Sequence, residues 1–333
     1  MAISLPTRPR RNRKSESIRK LFQENTLNVN DLVMPLFVME GKNQKTEISS
    51  MPGIYRYSSD LLVEECRILS QLGIPAIALF PCLSASLKDE RGTESWNESG
   101  LYAKTIRAIK FALPELTVIT DVAMDPYSSQ GHDGFVNDQG DIDNDETLPI
   151  LAKMALCQAR SGADIVAPSD MMDGRVGFIR EALDHAGFHQ VGILSYAVKY
   201  ASAFYGPFRD ALNSTPAKSA GGGDKKTYQM NPANLKEALR EVALDIQEGA
   251  DSVMVKPGLP YLDVLRAVVE ISSVPVAVYN VSGEYTMIKA ASLKGWLDYQ
   301  KTVLEILLSF KRAGASLIFT YHAKEAAEWL NLR

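Results

Sequence analysis

From residue 31 onward, short apolar runs rich in β-branched side chains alternate with longer stretches whose apolar positions recur every three or four residues. The short runs predict eight strands, at 32–38, 76–80, 117–122, 164–168, 191–196, 252–256, 275–279 and 316–320. The longer periodicity predicts helices at 59–72, 100–112, 146–161, 176–186, 234–248, 261–271, 301–313 and 323–330. Ser161-Gly162-Ala163-Asp164, Glu248-Gly249-Ala250-Asp251 and Arg312-Ala313-Gly314-Ala315 each close a helix just before a strand. Glycine there supplies a left-handed cap. Strands that are apolar at nearly every position suit a parallel sheet covered on both faces by helices. Eight β-then-α units is also the number that closes a (β/α)8 TIM barrel, so the expected fold is α/β of that kind. An open doubly wound sheet is the rival. It is disfavoured because no Gly-x-Gly-x-x-Gly turn follows the first strand.

Two connections are unusually long, 123–145 and 200–232, and both leave C-terminal strand ends. Long connections in a compact domain usually carry function, and barrels place their sites on that face. Residues 1–30 stand apart from the alternation. Arg8, Arg10, Arg11, Arg13, Lys14, Arg19 and Lys20 face a single acid, Glu16, within the first twenty positions. A nucleic-acid arm, a targeting peptide, an arm packed on a partner subunit and a plain solvated tail all fit that charge. The lack of interleaved aromatics speaks against nucleic acid. Leu21-Phe22 predicts that part of the segment packs somewhere. The chain thus divides into an arm, 1–30, and one barrel domain, 31–333, with a lid at about 200–232.

Composition narrows the picture. With 333 residues, 46% hydrophobic, 23% charged and a net charge of −4, nothing pulls the chain toward nucleic acid or an anionic membrane. Cys66, Cys82 and Cys157 have no metal or redox spacing, which suggests reduced thiols and a cytoplasmic setting. No apolar run is long enough to span a membrane, and the N-terminus lacks the apolar core of a signal peptide.

Polar residues collect where strands end: Asp121, then Asp125 and Gly131-His132-Asp133-Gly134; Ser169 and Asp170; Lys199; Lys256; Tyr279 and Ser282; Tyr321 and His322. Lys199 follows the fifth strand and Lys256 ends the sixth; neighbouring strands lie about 4.8 Å apart, so the two amines can approach to about 5 Å. At an effective dielectric near 20 their repulsion is about 3 kcal/mol, enough to lower one lysine by about two pKa units, and burial lowers it further. A lysine so shifted can attack a ketone to form a Schiff base. Snorkelling or salt-bridged lysines are the alternative. In the long loop, Arg209, Lys225 and Lys226 lie around the glycines 221–223, as in a hinged lid carrying carboxylate binders. Asp125 and Asp133 offer hard oxygen ligands that suit Mg²⁺ better than Zn²⁺, though a carboxylate-rich loop is commonly just solvated.

These residues fall in a set of motifs: Met34-Pro-Leu-Phe-Val38, Asp121-Val-Ala-Met-Asp-Pro-Tyr127, Gly131-His-Asp-Gly134 and Ala167-Pro-Ser-Asp-Met-Met-Asp-Gly174. The set continues with Ser202-Ala-Phe-Tyr-Gly-Pro-Phe-Arg209, Thr227-Tyr-Gln-Met230, Val253-Met-Val-Lys-Pro-Gly258, Tyr279-Asn-Val-Ser-Gly-Glu284 and Thr320-Tyr321. In that order they resemble the porphobilinogen synthase, or δ-aminolevulinic acid dehydratase, family over nearly the whole chain. The resemblance implies a lyase that condenses two 5-aminolevulinate molecules to porphobilinogen with loss of two waters, in heme biosynthesis. It implies Schiff bases on both lysines, Lys256 for the propionate side and Lys199 for the acetate side. Arg209, Lys225 and Gln229 match binders of the acetate-side carboxylate, with Lys225 where the family often has Arg. Ser282 and Tyr321 match binders of the other carboxylate, and Asp121 and Ser169 residues around the substrate amine. Tyr205 and Tyr279 complete the implied substrate-binding set. The resemblance also implies a homo-octamer in which the arm wraps a neighbour.

One departure concerns the metal. Zinc-dependent members carry three cysteines after the third strand, and here Ala123, Asp125 and Asp133 stand there. Alanine cannot ligate and carboxylates are a poor soft-metal set, so no catalytic zinc is expected. Such members respond to Mg²⁺ at an allosteric site between subunits, whose glutamate matches Glu241. His132 and His322 are candidate bases, with a structural role the alternative. Two other functions compete: a Schiff-base aldolase, which needs only one lysine, and a non-catalytic anion- or partner-binding barrel.

Overall fold

A computed structural model describes residues 5–212, 214 and 224–332. Eight parallel strands close on themselves: β1 (Leu32–Met39), β4 (Ala76–Cys82), β5 (Thr117–Val122), β8 (Ile165–Pro168), β9 (Gly192–Lys199), β10 (Ser252–Lys256), β11 (Val276–Asn280) and β12 (Leu317–Thr320). Closure comes from β12 pairing with β1 at Leu32–Ile318 and Val33–Phe319. Each strand is buried on almost every residue, because one face fills the barrel and the other meets helices. The surrounding helices are α2 (Ser59–Gln71), α3 (Leu101–Ala112), α4 (Asn144–Arg160), α5 (Arg175–His185), α7 (Lys236–Gln247), α8 (Leu262–Ile271), α10 (Tyr299–Ala313) and α11 (Ala323–Asn331). The expected glycine stops hold: Gly162, Gly249 and Gly314 have φ of +100°, +106° and +107°, a region closed to most side chains.

Several elements were not anticipated. An antiparallel hairpin, β2 (Lys45–Glu47) and β3 (Tyr55–Ser58), lies beside the C-terminal half of β1, to which β3 pairs in parallel. A smaller hairpin, β6 (Phe135–Val136) and β7 (Ile142–Asp143), folds within the long 123–145 connection. Between β11 and β12 there are two helices rather than one, the extra being α9 (Ser282–Leu293). Its first turn, Ser282-Gly283-Glu284, is buried although polar, so hydrophobic periodicity does not mark it. In the lid, α6 (Gly206–Leu212) is helical. Strand β9 runs three residues beyond its expected end, so Lys199 is its last residue rather than part of a loop.

The arm contains a short helix, α1 (Glu16–Leu21), capped by Ser15, whose hydroxyl accepts from the Ile18 amide. Leu21 and Phe22, expected to pack, are 76% and 56% exposed in the single chain.

Candidate active site

The C-terminal ends of β9 and β10 lie side by side, and Lys199 and Lys256 are register partners. Both are buried, and their surroundings differ. Lys199 Nζ donates to Asp133 Oδ2 at 2.9 Å and to the Ser169 carbonyl. Lys256 Nζ faces rings: Tyr279 at 4.7 Å from the centroid, Tyr196 and Phe208 at 5.0 Å, Tyr205 at 5.2 Å. Burial, and second the charge of Lys199, bring the Lys256 ammonium down from 10.5 to about 7. Repulsion between the lysines is thus second to burial, because aromatic rings enclose the Lys256 amine.

Carboxylates supply the rest of the field. Asp121, at the end of β5, is pushed up to about 7 by burial and then by the nearby Asp125. Its Oδ1 has no hydrogen-bond partner among the described residues. Burial also raises Asp133, but Lys199 and Lys225 outweigh it and hold that carboxyl well below the usual range. Lys225 is 5% exposed and bridges Asp133 Oδ1 at 2.5 Å and Asp125 Oδ2 at 3.4 Å. Its ammonium stays above its ordinary value because those two acids overcome the cost of burial. The proposed cation loop is therefore filled by ammonium groups: both carboxylates are already neutralised by lysines. Among the described residues no three His, Cys, Asp or Glu side chains stand together as metal ligands.

The lid begins and ends on the site. Its α6 is pinned from the β2–β3 side, where Arg56 donates to the carbonyls of Asp210 and Ala211, each at 2.7 Å. At its far end Met230 N donates to the Lys199 carbonyl at 3.0 Å. Phe208, on α6, packs edge-on against Phe80 at 5.1 Å and roofs Lys256. Glycines 221–223, expected to form the hinge, lie outside the described residues. Lys226 is exposed and pairs with Asp224 at 3.0 Å, so its charge is not delivered to the lysine pair as expected. Asp121, Asp125, Ser169, Lys199, Tyr205, Arg209, Lys225, Gln229 and Lys256, with Phe80 and Phe208, enclose a cavity of about 20 Å³. That is room for about one water, so two substrates can enter only if the lid and Lys225 move.

On the Lys256 side, the Tyr279 and Tyr321 hydroxyls are 3.1 Å apart. Ser282 Oγ accepts from the Phe208 amide at 3.0 Å and lies 3.3 Å from the Phe204 carbonyl, which ties it to the lid. Tyr205 donates to the Lys256 carbonyl at 3.2 Å.

The chain is similar to known proteins over nearly its whole length. A sequence profile described as delta-aminolevulinic acid dehydratase matches residues 6–329. The chain belongs to the delta-aminolevulinic acid dehydratase family. The family member from Bradyrhizobium diazoefficiens is 54% identical over 329 residues, covering 99% of this chain and 92% of the relative. That from Synechocystis is 52% identical over 97% of this chain and 98% of the relative. The crystal structure of delta-aminolevulinic acid dehydratase (porphobilinogen synthase) from Toxoplasma gondii, in complex with the reaction product porphobilinogen, superposes with a TM-score of 0.95 at 52% identity. It covers 98% of this chain and 92% of that one.

Within this family chain, Glu241 sits on α7, away from the lysine cage. It is half-buried, and burial and then Asp245 raise its carboxyl. With Asp141, Asp173 and Glu237 it lines a separate cavity of about 340 Å³, whose wall also includes Thr227, Tyr228 and Met230 from the end of the lid. His322 is buried and held neutral, down to about 3, chiefly by burial; its Nδ1 lies 2.9 Å from the Tyr299 hydroxyl. His132 Nδ1 lies 3.1 Å from the Tyr228 hydroxyl. Each histidine thus has a tyrosine hydroxyl beside its Nδ1. Sequence reasoning missed Tyr196 and Phe208 as cage walls. Tyr196 reads as an ordinary strand aromatic, and its odd spacing from Lys199 would place it on the opposite face of a regular strand. Among the described residues no helix is long and apolar enough to cross a membrane.

Proposed function

We propose that the protein condenses two molecules of 5-aminolevulinate to porphobilinogen, releasing two waters, through Schiff bases on Lys256 and Lys199. The observation that carries this reading is the pair of register-matched lysines, one of them brought to about 7 inside an aromatic cage. Near neutral pH about half of Lys256 is then free amine. Its nitrogen attacks the substrate ketone, a carbon–nitrogen bond forms, and the ketone oxygen leaves as water. The imine withdraws electrons from the neighbouring carbon, whose proton can then be removed. The enamine that forms this way on Lys199, from the acetate-side molecule, attacks the imine carbon of the propionate-side molecule held on Lys256. One carbon–carbon and one carbon–nitrogen bond join the two molecules, and both lysines are regenerated. Covalent tethering makes the encounter intramolecular, and a closed lid keeps water from the imines.

In this reading Ser282 and Tyr321 hold the carboxylate of the Lys256-bound substrate, with Tyr279 and Tyr205 shaping its pocket. Arg209, Lys225 and Gln229 hold the other carboxylate. Lys225 is released to it as the substrate's anion replaces Asp133 and Asp125. Asp121 and Ser169 flank the substrate amine. Ala123 has no donor atom, and the lysine-paired Asp125 and Asp133 are not a zinc site. Glu241, Glu237, Asp173 and Asp141 line one cavity without gathering into a close ligand set, which a cation that keeps most of its waters does not need. They suit Mg²⁺, which would tie α7 to the lid's end as an allosteric activator. The basic arm, with Leu21 and Phe22 exposed, suits packing on a neighbouring subunit of a homo-octamer, and the buried free cysteines suit the cytoplasm.

The test is to incubate the protein with 5-aminolevulinate, reduce with borohydride and map adducts by mass spectrometry. Label on Lys256 and Lys199 supports the reading. Label with keto acids only would point to an aldolase, and no label under turnover conditions to a binding barrel. Activity after exhaustive chelation, with Mg²⁺ and Zn²⁺ restored separately, checks the metal. Rescue by zinc alone would contradict it.

A further inference from the structure

Along β9, strict alternation of side chains fails. Ser195 faces outward, its hydroxyl 2.5 Å from Asp245 on the surrounding helix α7. Tyr196 faces inward, its ring 5.0 Å from Lys256 Nζ. Successive strand residues point to opposite faces, so Lys199, three positions past an inward residue, should point out of the barrel. It points in. The parity changes because Ser195 pairs with Val253 while Val198 pairs with Val255: β9 spends three steps where β10 spends two. That extra residue is a β-bulge, a device that re-aims a side chain. On its other side β9 pairs with β8 only through Gly192 and Ile193, so the bulge has no ladder partner there.

Arg175 occupies the outer side of this bulge. Its Nη2 donates to Ser195 Oγ at 3.1 Å and to the Tyr196 carbonyl at 3.4 Å. The same guanidinium reaches Asp245 Oδ2 at 3.3 Å, and its Nε lies 3.6 Å from Asp170 Oδ2. Asp170 follows Ser169, whose carbonyl accepts from Lys199 Nζ. Arg175 is 2% exposed. Taking such a charge out of water costs several kcal/mol, and packing alone would be served better by an apolar side chain. What an apolar side chain cannot do is clamp both ends of the Lys199 support, the β9 bulge and the β8 terminus.

We propose that Arg175 is a positioning residue: by fixing the β9 bulge it turns Lys199 into the barrel to face Lys256. The inference rests on the two-lysine reading above. Arg175→Lys keeps the charge between Asp170 and Asp245 but lacks the planar fork. After borohydride reduction with 5-aminolevulinate, the Lys256 adduct should stay within about twofold of wild type. The Lys199 adduct should fall by about tenfold or more, since a shift of about 1 Å can cost on the order of 100-fold. An unchanged ratio of the two adducts, or an equal loss of both, would overturn the proposal. If Arg175→Lys does not fold, as judged by circular dichroism, Ser195→Ala decides. It removes one bulge contact and should lower the same ratio several-fold; a wild-type ratio overturns the idea. Wild-type protein that labels at neither lysine would instead sink the two-lysine reading, and this inference with it.

Discussion

Replacing Lys199 by methionine should expose how the Lys256 amine is tuned. The wild-type amine is lowered from 10.5 to about 7, a bias against charging of about 5 kcal/mol. Burial is the larger cause and Lys199 the second, and the nearby charges of Asp121, Asp125 and Asp133 offset part of both. Removing a unit charge about 5 Å away at an effective dielectric near 20 returns about 3 kcal/mol, or about two pKa units. Lys256 should therefore titrate near 9 in Lys199→Met, because the aromatic enclosure persists. The assay is the pH dependence of single-turnover borohydride trapping on Lys256, which does not need the second imine. At pH 7 the neutral fraction drops from about a half to about one in a hundred, a roughly fiftyfold slower trapping. Lys199→Arg keeps the charge without the nucleophile and should keep the inflection near 7. An inflection that stays near 7 in Lys199→Met would refute the charge contribution. A return to 10.5 would refute burial as the main cause.

Asp133→Asn removes the carboxylate shared by two buried ammonium groups, leaving Lys225 only Asp125 and Lys199 only the Ser169 carbonyl, and should cost about 3 kcal/mol in unfolding free energy, read from urea denaturation. His322 has a folded pKa near 3 against 6.5 unfolded, so stability is full above about pH 6.5 and drains as pH falls toward 3. His322→Gln should flatten the dependence of unfolding midpoint on pH across that window, and an unaltered slope would count against burial of a neutral imidazole. Glu241→Gln should abolish any Mg²⁺ stimulation while activity without Mg²⁺ persists. A variant still stimulated at wild-type Mg²⁺ concentrations would place the cation elsewhere.

Much of the barrel was legible because its strands and outer helices obey simple periods: apolar runs for strands buried on both faces, apolar stripes for α2, α3 and α8, and glycine at φ positions that other residues avoid. What escaped was built from polar or very short segments. The first turn of α9 is buried through Ser282, Gly283 and Glu284, and the β2–β3 hairpin is exposed along Lys45–Glu47, so neither carries an apolar period. Lys225 looked like a solvent-facing lid cation, but Asp133 and Asp125 draw it inside; that pairing joins residues about a hundred positions apart.

The residues of the chain by themselves determined the count of β/α units, the strand that ends in Lys256, and the family. Those follow from local patterns and motif order, which need no knowledge of distant neighbours. Only the tertiary structure decided which lysine is dry and which is paired, that a bulge beside Arg175 aims Lys199 inward, and that lid and acids close on each other. Those outcomes depend on burial and on register between segments far apart in the chain, and neither quantity is written in any local stretch.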